Sequence, residues 1–249
     1  MSLVTALRPV GGFADHVFAL LERVDYRLAA TDEDKEAIYR LRYNSYLREK
    51  AILPDFSRRL SDKYDVLDTS WLFGVFIDDR LVSSLRITVA YSSEPVSPAT
   101  EAFPDALDAQ IEAGKIIIDP TRFVIDTDAS RRFPDLRYAT TRIAWMASAY
   151  FGADLLLASV RSEHQAFYRR VFGHQVVAPP REYASLIKPL SLMVCDYPEN
   201  RDSVNRRYPF LRSSYFERHM LFEQAGSSRP MESSAKRIVR EPFSPALAG

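Results

Sequence analysis

Residues 115–126 read KIIIDPTRFVID, residues 137–152 read RYATTRIAWMASAYFG, and residues 154–160 read DLLLASV. The first stretch is apolar and β-branched with a proline in its middle. It predicts a strand with a bulge or kink at Pro120, where the missing N–H removes a ladder bond. The second is an alanine-rich helix that stops on Gly152, a residue suited to a left-handed C-terminal cap. The third is a short continuous apolar run, the pattern of a strand buried on both faces. Strand, helix and buried strand in succession place the chain in the α/β class with a mixed central sheet.

Working outward, DYRLAAT (25–31) alternates as a strand. DEDKEAIYRLRYNSYLREK (32–50) is a helix whose acidic first turn suits the helix dipole, and it should stop before Pro54. WLFGVFI (71–77) and LVSSLRITVA (81–90) are strands joined by a hairpin at Asp78-Asp79-Arg80. The Pro- and Ser-containing segment 91–100 reads as a loop, and FPDALDAQIEAG (103–114) as a short helix closed by Gly114. TDASRRFPDL (127–136) reads as a polar loop. SEHQAFYRRVFG (162–173) is a helix with Ser162 and Gln165 as a capping box and Gly173 as its stop, and strands follow in QVVAPP (175–180) and PLSLMVCDY (189–197). This divides the chain into an N-terminal helical extension (1–24), a main domain (25–200), a C-terminal helical extension (201–227) and a Ser/Pro/charge-rich tail (228–249).

The 249 residues suffice for one large core, and Lys plus Arg balance Asp plus Glu at 33 each. That balance gives no support for broad nucleic-acid binding. The single cysteine, Cys195, excludes an internal disulfide framework, and four scattered histidines do not make a metal site. Cys195 lies in an alternating strand and reads as packing; His164 reads as a surface or capping residue. No run approaches the roughly 20 apolar residues of a spanning helix, and MSLVTALRPVGGFADHVF has no signal-peptide layout. The expected compartment is the cytoplasm.

Several charged residues occupy positions that need an explanation. Arg42 shares an apolar helical line with Ile38 and Tyr46, so it either finds an anionic partner or snorkels to solvent. Asp62 and Asp65 are spaced three apart, so one helical turn would aim both carboxylates the same way. Arg86 alternates onto the polar face of its strand, and Asp119 and Arg122 flank the Pro120 break. Convergence of these six on one cleft is the prediction, because a buried ion network often marks a site.

In this order, Arg42-x-x-x-Tyr46, Asp62-x-x-Asp65, Arg86 and Asp119-x-x-Arg122 resemble the signature of acyl-homoserine lactone (autoinducer) synthases over residues 25–130. Tyr46 stands where that family has Phe, Ile52 where it has Trp, and Asp119 where it has Glu. The C-terminal half, HQAFYRRVFGHQVVAPPREYASLIKPLSLMVCDYP (164–198), resembles the related long-chain N-acyl amino acid synthases, FeeM-like. The resemblance implies a GNAT-like (acyl-CoA N-acyltransferase) fold with helices on both faces of the sheet. It implies an acyltransferase that moves a long-chain fatty-acyl group from an acyl carrier protein to the amine of an amino acid. No tightly bound cofactor is implied; the donor is a carrier-protein thioester or an acyl-CoA.

On this resemblance Arg42, Tyr46, Asp62, Asp65, Arg86 and Arg122 shape the acceptor pocket. Asp119 is the candidate general base, directly or through water, and Tyr168 is the candidate proton donor to the leaving thiolate. Strand N–H groups near residues 123–125 would polarise the thioester carbonyl. Where acetyl-CoA users of this fold carry a Gly-rich phosphate turn, SRRFPDLRYATTR (130–142) has no glycine. Arg131, Arg132, Arg137 and Arg142 are there instead, as candidate contacts to the donor or its acidic carrier. An acyl-homoserine lactone synthase and a non-catalytic module that binds carrier or lipid remain the alternatives.

Overall fold

The computed structural model describes residues 11–183 and 186–223; the first ten residues and the expected tail at 228–249 lie outside the described residues. The chain begins with α1 (Phe13–Leu21), β1 (Val24–Leu28) and α2 (Asp32–Arg48), then a 3-10 turn at Lys63–Val66. The hairpin β2 (Ser70–Ile77) and β3 (Arg80–Ala90) follows, then α3 (Pro98–Ala102), α4 (Pro104–Glu112) and β4 (Ile117–Ile125). Next come α5 (Thr127–Arg132), α6 (Leu136–Phe151), β5 (Leu155–Val160), α7 (Gln165–Phe172), β6 (Gln175–Tyr183) and β7 (Leu186–Asp196). Two helices, α8 (Tyr197–Arg207) and α9 (Tyr215–Phe222), close the described chain.

Local chemistry explains most boundaries. Thr31 and Asp34 form a reciprocal capping box on α2. Asp78 and Asp79 both adopt positive φ, 51° and 57°, as a two-residue hairpin turn between right-twisted strands requires. Gly152 and Gly173 end α6 and α7 in the left-handed conformation. Three details depart from the sequence reading. The loop expected at 91–100 ends in α3, started by the Ser97 cap and Pro98 at its first turn. The expected polar loop at 127–136 holds α5, because Asp126 caps it through Asp128 N and Ala129 N. Ser162 does not cap α7; it opens a separate 3-10 turn, Ser162–His164, and α7 starts without a side-chain cap.

The seven strands form one sheet in the order β1-β2-β3-β4-β5-β7-β6, parallel at β4–β5 and antiparallel elsewhere. Alternation sorts the helices into two layers. Trp71, Phe73, Leu85, Ile87, Ile118 and Leu156 face α1, α6 and α9. Their strand neighbours turn the other way: Leu72 packs on α2, and Ile117, Leu155 and Leu157 pack on α3 and α4.

The break in β4 is not at Pro120, which pairs in register with Ile87. The extra residue lies between Thr121 and Val124, which face Arg86 and Ser84, and Arg122 carries the left-handed φ of 55°. Proline's ring fixes φ near −65°, so Pro120 itself cannot take that conformation. The parallel pairing of β4 with β5 covers Ile117–Leu155 and Ile118–Leu156; beyond these pairs the two edges part.

Candidate active site

The sequence-predicted charges meet on the α2 side of the sheet. Arg42 Nη1 donates to both oxygens of Asp65 at 2.8 and 3.0 Å. Arg86 Nη1 donates to Asp65 at 2.9 Å and also to Asp62, while its Nε reaches Thr121 Oγ1 at 3.0 Å. Arg122 closes the chain on Asp62 through Nε and Nη2. The 3-10 turn aims the two carboxylates together, since Asp62 caps Tyr64 N and Asp65 accepts from Asp62 N. Arg42 is fully buried and Arg86 is 1% exposed, so burial alone would make these charges costly. Burial tends to raise the Asp62 carboxyl, but Arg86 and Arg122 outweigh it and hold it at about 2. Burial pushes the Arg42 guanidinium down, while Asp65 opposes it.

Asp119 shares the sheet face of Arg86, because Arg86 pairs with Thr121 and Thr88 with Asp119. The expectation for Asp119 is a general base acting directly or through water, and the geometry gives it no direct contact with the cleft. The residue is 0% exposed, and Oδ2 accepts from Ala99 N at 2.8 Å, which caps α3. It lines neither cavity described below. Burial pushes its carboxyl up, against the Ala99 hydrogen bond. A carboxylate that does not reach the cleft cannot take a proton from a bound amine directly.

Where β4 and β5 part, a cavity of about 410 Å³ opens. Its walls come from both helix layers: Tyr46 and Lys188 on the α2 side, Thr141, Phe167 and Tyr168 on the α6–α7 side. It therefore passes through the sheet. Its lining is exposed or half-buried at Ile125, Arg137 and Val160, which marks its open end, and buried at Leu85, Leu156 and Phe172, which marks its closed end. A smaller cavity of about 40 Å³ adjoins it on the α2 side, sharing Tyr46, Thr121, Arg122 and Ser159 and adding Asp62, Arg86 and Tyr183. Arg42, Arg86 and Arg122 share Asp62 and Asp65 in the network behind it, and of these five Arg86, Arg122 and Asp62 reach the wall of the polar lobe.

Tyr46 sits between the lobes, with its ring 5.5 Å from the Arg122 guanidinium carbon. Tyr168 is half-buried on the wall of the large cavity, and burial pushes its hydroxyl pKa up, which keeps it protonated. Of the four rim arginines, Arg131 and Arg132 are exposed on α5, and Arg137 is exposed at the cavity mouth. Arg142 is not on the rim. It is buried, pairs with Glu217, and donates to the carbonyls of Phe210 at 2.7 Å and Arg212 at 2.6 Å, which ties α9 to α6. On α6 its helical face points to the C-terminal segment, a contact no local spacing announces.

The sequence reading passed over three wall residues. Ser159 and Tyr183 bring buried hydroxyls to the polar lobe, and His174 brings a buried imidazole to the large cavity. Their only signals were a serine inside an apolar strand and a histidine directly after a helix-stop glycine. Among the described residues no cluster of three or more His, Cys, Asp or Glu side chains forms a metal site, and no helix is long and apolar enough to cross a membrane.

Comparison with known proteins places this geometry in context. The structure resembles that of FeeM, an N-acyl amino acid synthase from uncultured soil microbes, with a TM-score of 0.63 and 18% identity, covering 76% of this chain and 98% of that one. It also resembles BjaI, a CoA-dependent acyl-homoserine lactone synthase, with a TM-score of 0.53 and 17% identity over 75% of this chain and 89% of the other. The acyl-homoserine lactone synthase LasI gives a TM-score of 0.52 and 16% identity over 69% of this chain and 89% of the other. At such identities the likeness establishes the acyl-CoA N-acyltransferase type of α/β fold, with its mixed sheet between two helix layers. No curated protein matches the sequence. The model of the family "N-acyl amino acid synthase FeeM" matches residues 37–196, a span that contains the whole ion network and every residue lining the two cavities, and the chain belongs to that family.

Proposed function

We propose that this acyltransferase moves a long-chain fatty-acyl group from an acyl carrier protein thioester to the amine of an amino acid, giving an N-acyl amino acid. The observation that carries the reading is a large, mainly apolar cavity crossing the sheet between β4 and β5, with a small polar lobe lined by Arg86 and Arg122 adjoining it on the α2 side. An acyl chain suits the first and an amino-acid carboxylate the second, where Arg122 and Arg86 supply the positive charge.

The donor enters at the open end beside Arg137, and its thioester carbonyl faces the β4 edge at Phe123–Ile125. Backbone N–H groups there meet the oxyanion as the amine nitrogen attacks the carbonyl carbon. The C–N bond forms, the C–S bond breaks, and the thiolate takes the Tyr168 proton; the proton shed by the amine restores the phenol through water. Asp62, held at about 2, does not take the ammonium proton, so the amine gives that proton to water and attacks in its neutral form.

The test incubates the purified protein with palmitoyl-carrier protein, palmitoyl-CoA or acetyl-CoA and a panel of amino acids, and resolves products by mass. N-palmitoyl amino acids formed fastest from the carrier thioester are expected. Acetyl-CoA as the best donor, or no amide with any amino acid, would reject the reading.

A further inference from the structure

The closed end of the large cavity is walled by Leu85, Ala144, Leu156 and Phe172, and the imidazole of His174 stands in that apolar wall. His174 is 1% exposed, and neither ring nitrogen makes a hydrogen bond within normal geometry. Burial pushes its pKa down to about 4, against the opposing pull of the backbone at Leu157, Tyr168 and Leu156, so the ring is neutral near pH 7. The ring is held in place. Tyr168 and Phe172 meet it edge-on with centroids at 5.7 and 5.9 Å. Gly173, at φ 80°, turns the chain to deliver it, and a Cβ there would run into Asn200.

A neutral imidazole offers one donor and one acceptor nitrogen. The backbone carbonyls of Leu157 and Tyr168 lie toward the ring's donor side, so a plain hydrocarbon chain packed into the closed end would leave the acceptor nitrogen unpaired in an apolar setting, which is unfavourable. An oxygen function on the chain removes that penalty. With the thioester carbonyl at Phe123–Ile125 as proposed above, His174, beside Tyr168 and toward the closed end, meets the first few carbons after the carbonyl. We infer that His174 reads a hydroxyl near the thioester end of the acyl group, so that the preferred donor carries a 3-hydroxyacyl chain. The inference rests on the acyl-transfer reading of the same cavity. Ser159 and Tyr183 do not serve this purpose, because they face the polar lobe on the other side of the sheet.

The test is a competition between 3-hydroxytetradecanoyl- and tetradecanoyl-carrier protein on the full-length chain with an amino-acid acceptor. The wild type should favour the hydroxylated donor by about ten- to a hundredfold in kcat/KM, the range for a buried partner lost. His174→Leu should bring that ratio close to one, and His174→Gln should recover part of it. Equal use of the two donors by the wild type, or an unchanged ratio in His174→Leu, overturns the inference. If neither donor is turned over, the acyl-transfer reading is what fails, and the free acids then decide on His174. In that case 3-hydroxytetradecanoic acid must raise the Tm of the wild type more than tetradecanoic acid does; equal shifts overturn the inference. The wild-type comparisons need no variant, so a misfolded His174→Leu leaves the test intact.

Discussion

Arg122 holds the Asp62 carboxylate with two nitrogens, Nε at 3.0 Å and Nη2 at 2.7 Å, from a backbone position in the left-handed region. A bulky residue adopts that conformation only where the surroundings enforce it. The bulge in β4 turns Arg122 onto the face already occupied by Arg86 and Thr121, and the Asp62 pair holds it there.

Asp62→Asn should therefore act on stability first. It keeps the shape but leaves Arg86 and Arg122 short of one negative charge, at a cost of roughly 3–5 kcal/mol in chemical denaturation near pH 7. The pH dependence follows from the depressed carboxyl. Its folded pKa of about 2 lies below the ordinary 3.8, so its contribution, about 2 kcal/mol, is present above pH 4 and fades as pH falls toward 2. The stability gap between wild type and variant should narrow over that interval, and a gap constant from pH 7 to 2 would contradict the pairing.

Asp119→Asn separates a cap from a base. The amide can accept from Ala99 N as the carboxylate does, and it removes a charge whose burial raises the carboxyl pKa. Tm should hold or rise, and kcat should fall by less than about tenfold. A contact base would cost ~10²–10⁴-fold, so a loss of that size with KM unchanged would return Asp119 to the chemistry.

The contrast between Asp119 and Arg122 shows what the sequence can and cannot reveal. Element types were legible because β-branched runs, helix stops and caps are local signals, and the KIIIDPTRFVID strand needs no distant partner to be recognised. The ion network was legible because opposite charges at element ends must pair once buried. Which way a residue points at a bulge was not: the slip from Pro120 to Arg122 depends on the facing strand. The carboxylate three residues earlier thus went to the cap of α3, a helix the sequence presented as loop. His174 and Arg142 were opaque for a related reason, since part of what surrounds each comes from a distant segment: Leu157 of β5 against the first, and Phe210 and Glu217 against the second.

Tyr168→Phe should lower kcat with the carrier thioester by roughly 10²-fold while changing donor KM little, because the hydroxyl acts only as the C–S bond breaks. An aryl thioester, whose thiolate leaves without a proton, should recover most of the lost rate. Equal losses with both donors would mean that the ring merely packs the cavity wall.

The last prediction separates two kinds of arginine that lie close in sequence. Arg131 and Arg132 are exposed on α5 beside the open end of the cavity, whereas Arg142 is buried and joined to Glu217 and two carbonyls of the C-terminal segment. An acidic carrier protein would meet the first pair through long-range attraction, which salt screens beyond a Debye length of roughly 8 Å at physiological strength. Arg131→Glu with Arg132→Glu should raise the apparent KM for the carrier donor several-fold, leave kcat and Tm nearly unchanged, and flatten the salt dependence of kcat/KM. Arg142→Ala should do the reverse. It leaves the carbonyls of Phe210 and Arg212 without their donor and frees the half-buried Glu217 and α9 from α6, so it should cost about 1–3 kcal/mol of stability with no selective effect on the carrier donor. Kinetics over a salt series, paired with thermal unfolding of each variant, reads both effects. A donor-specific KM change in Arg142→Ala at intact Tm, or a salt slope unaltered by the double charge reversal, would show that the carrier approaches by another face.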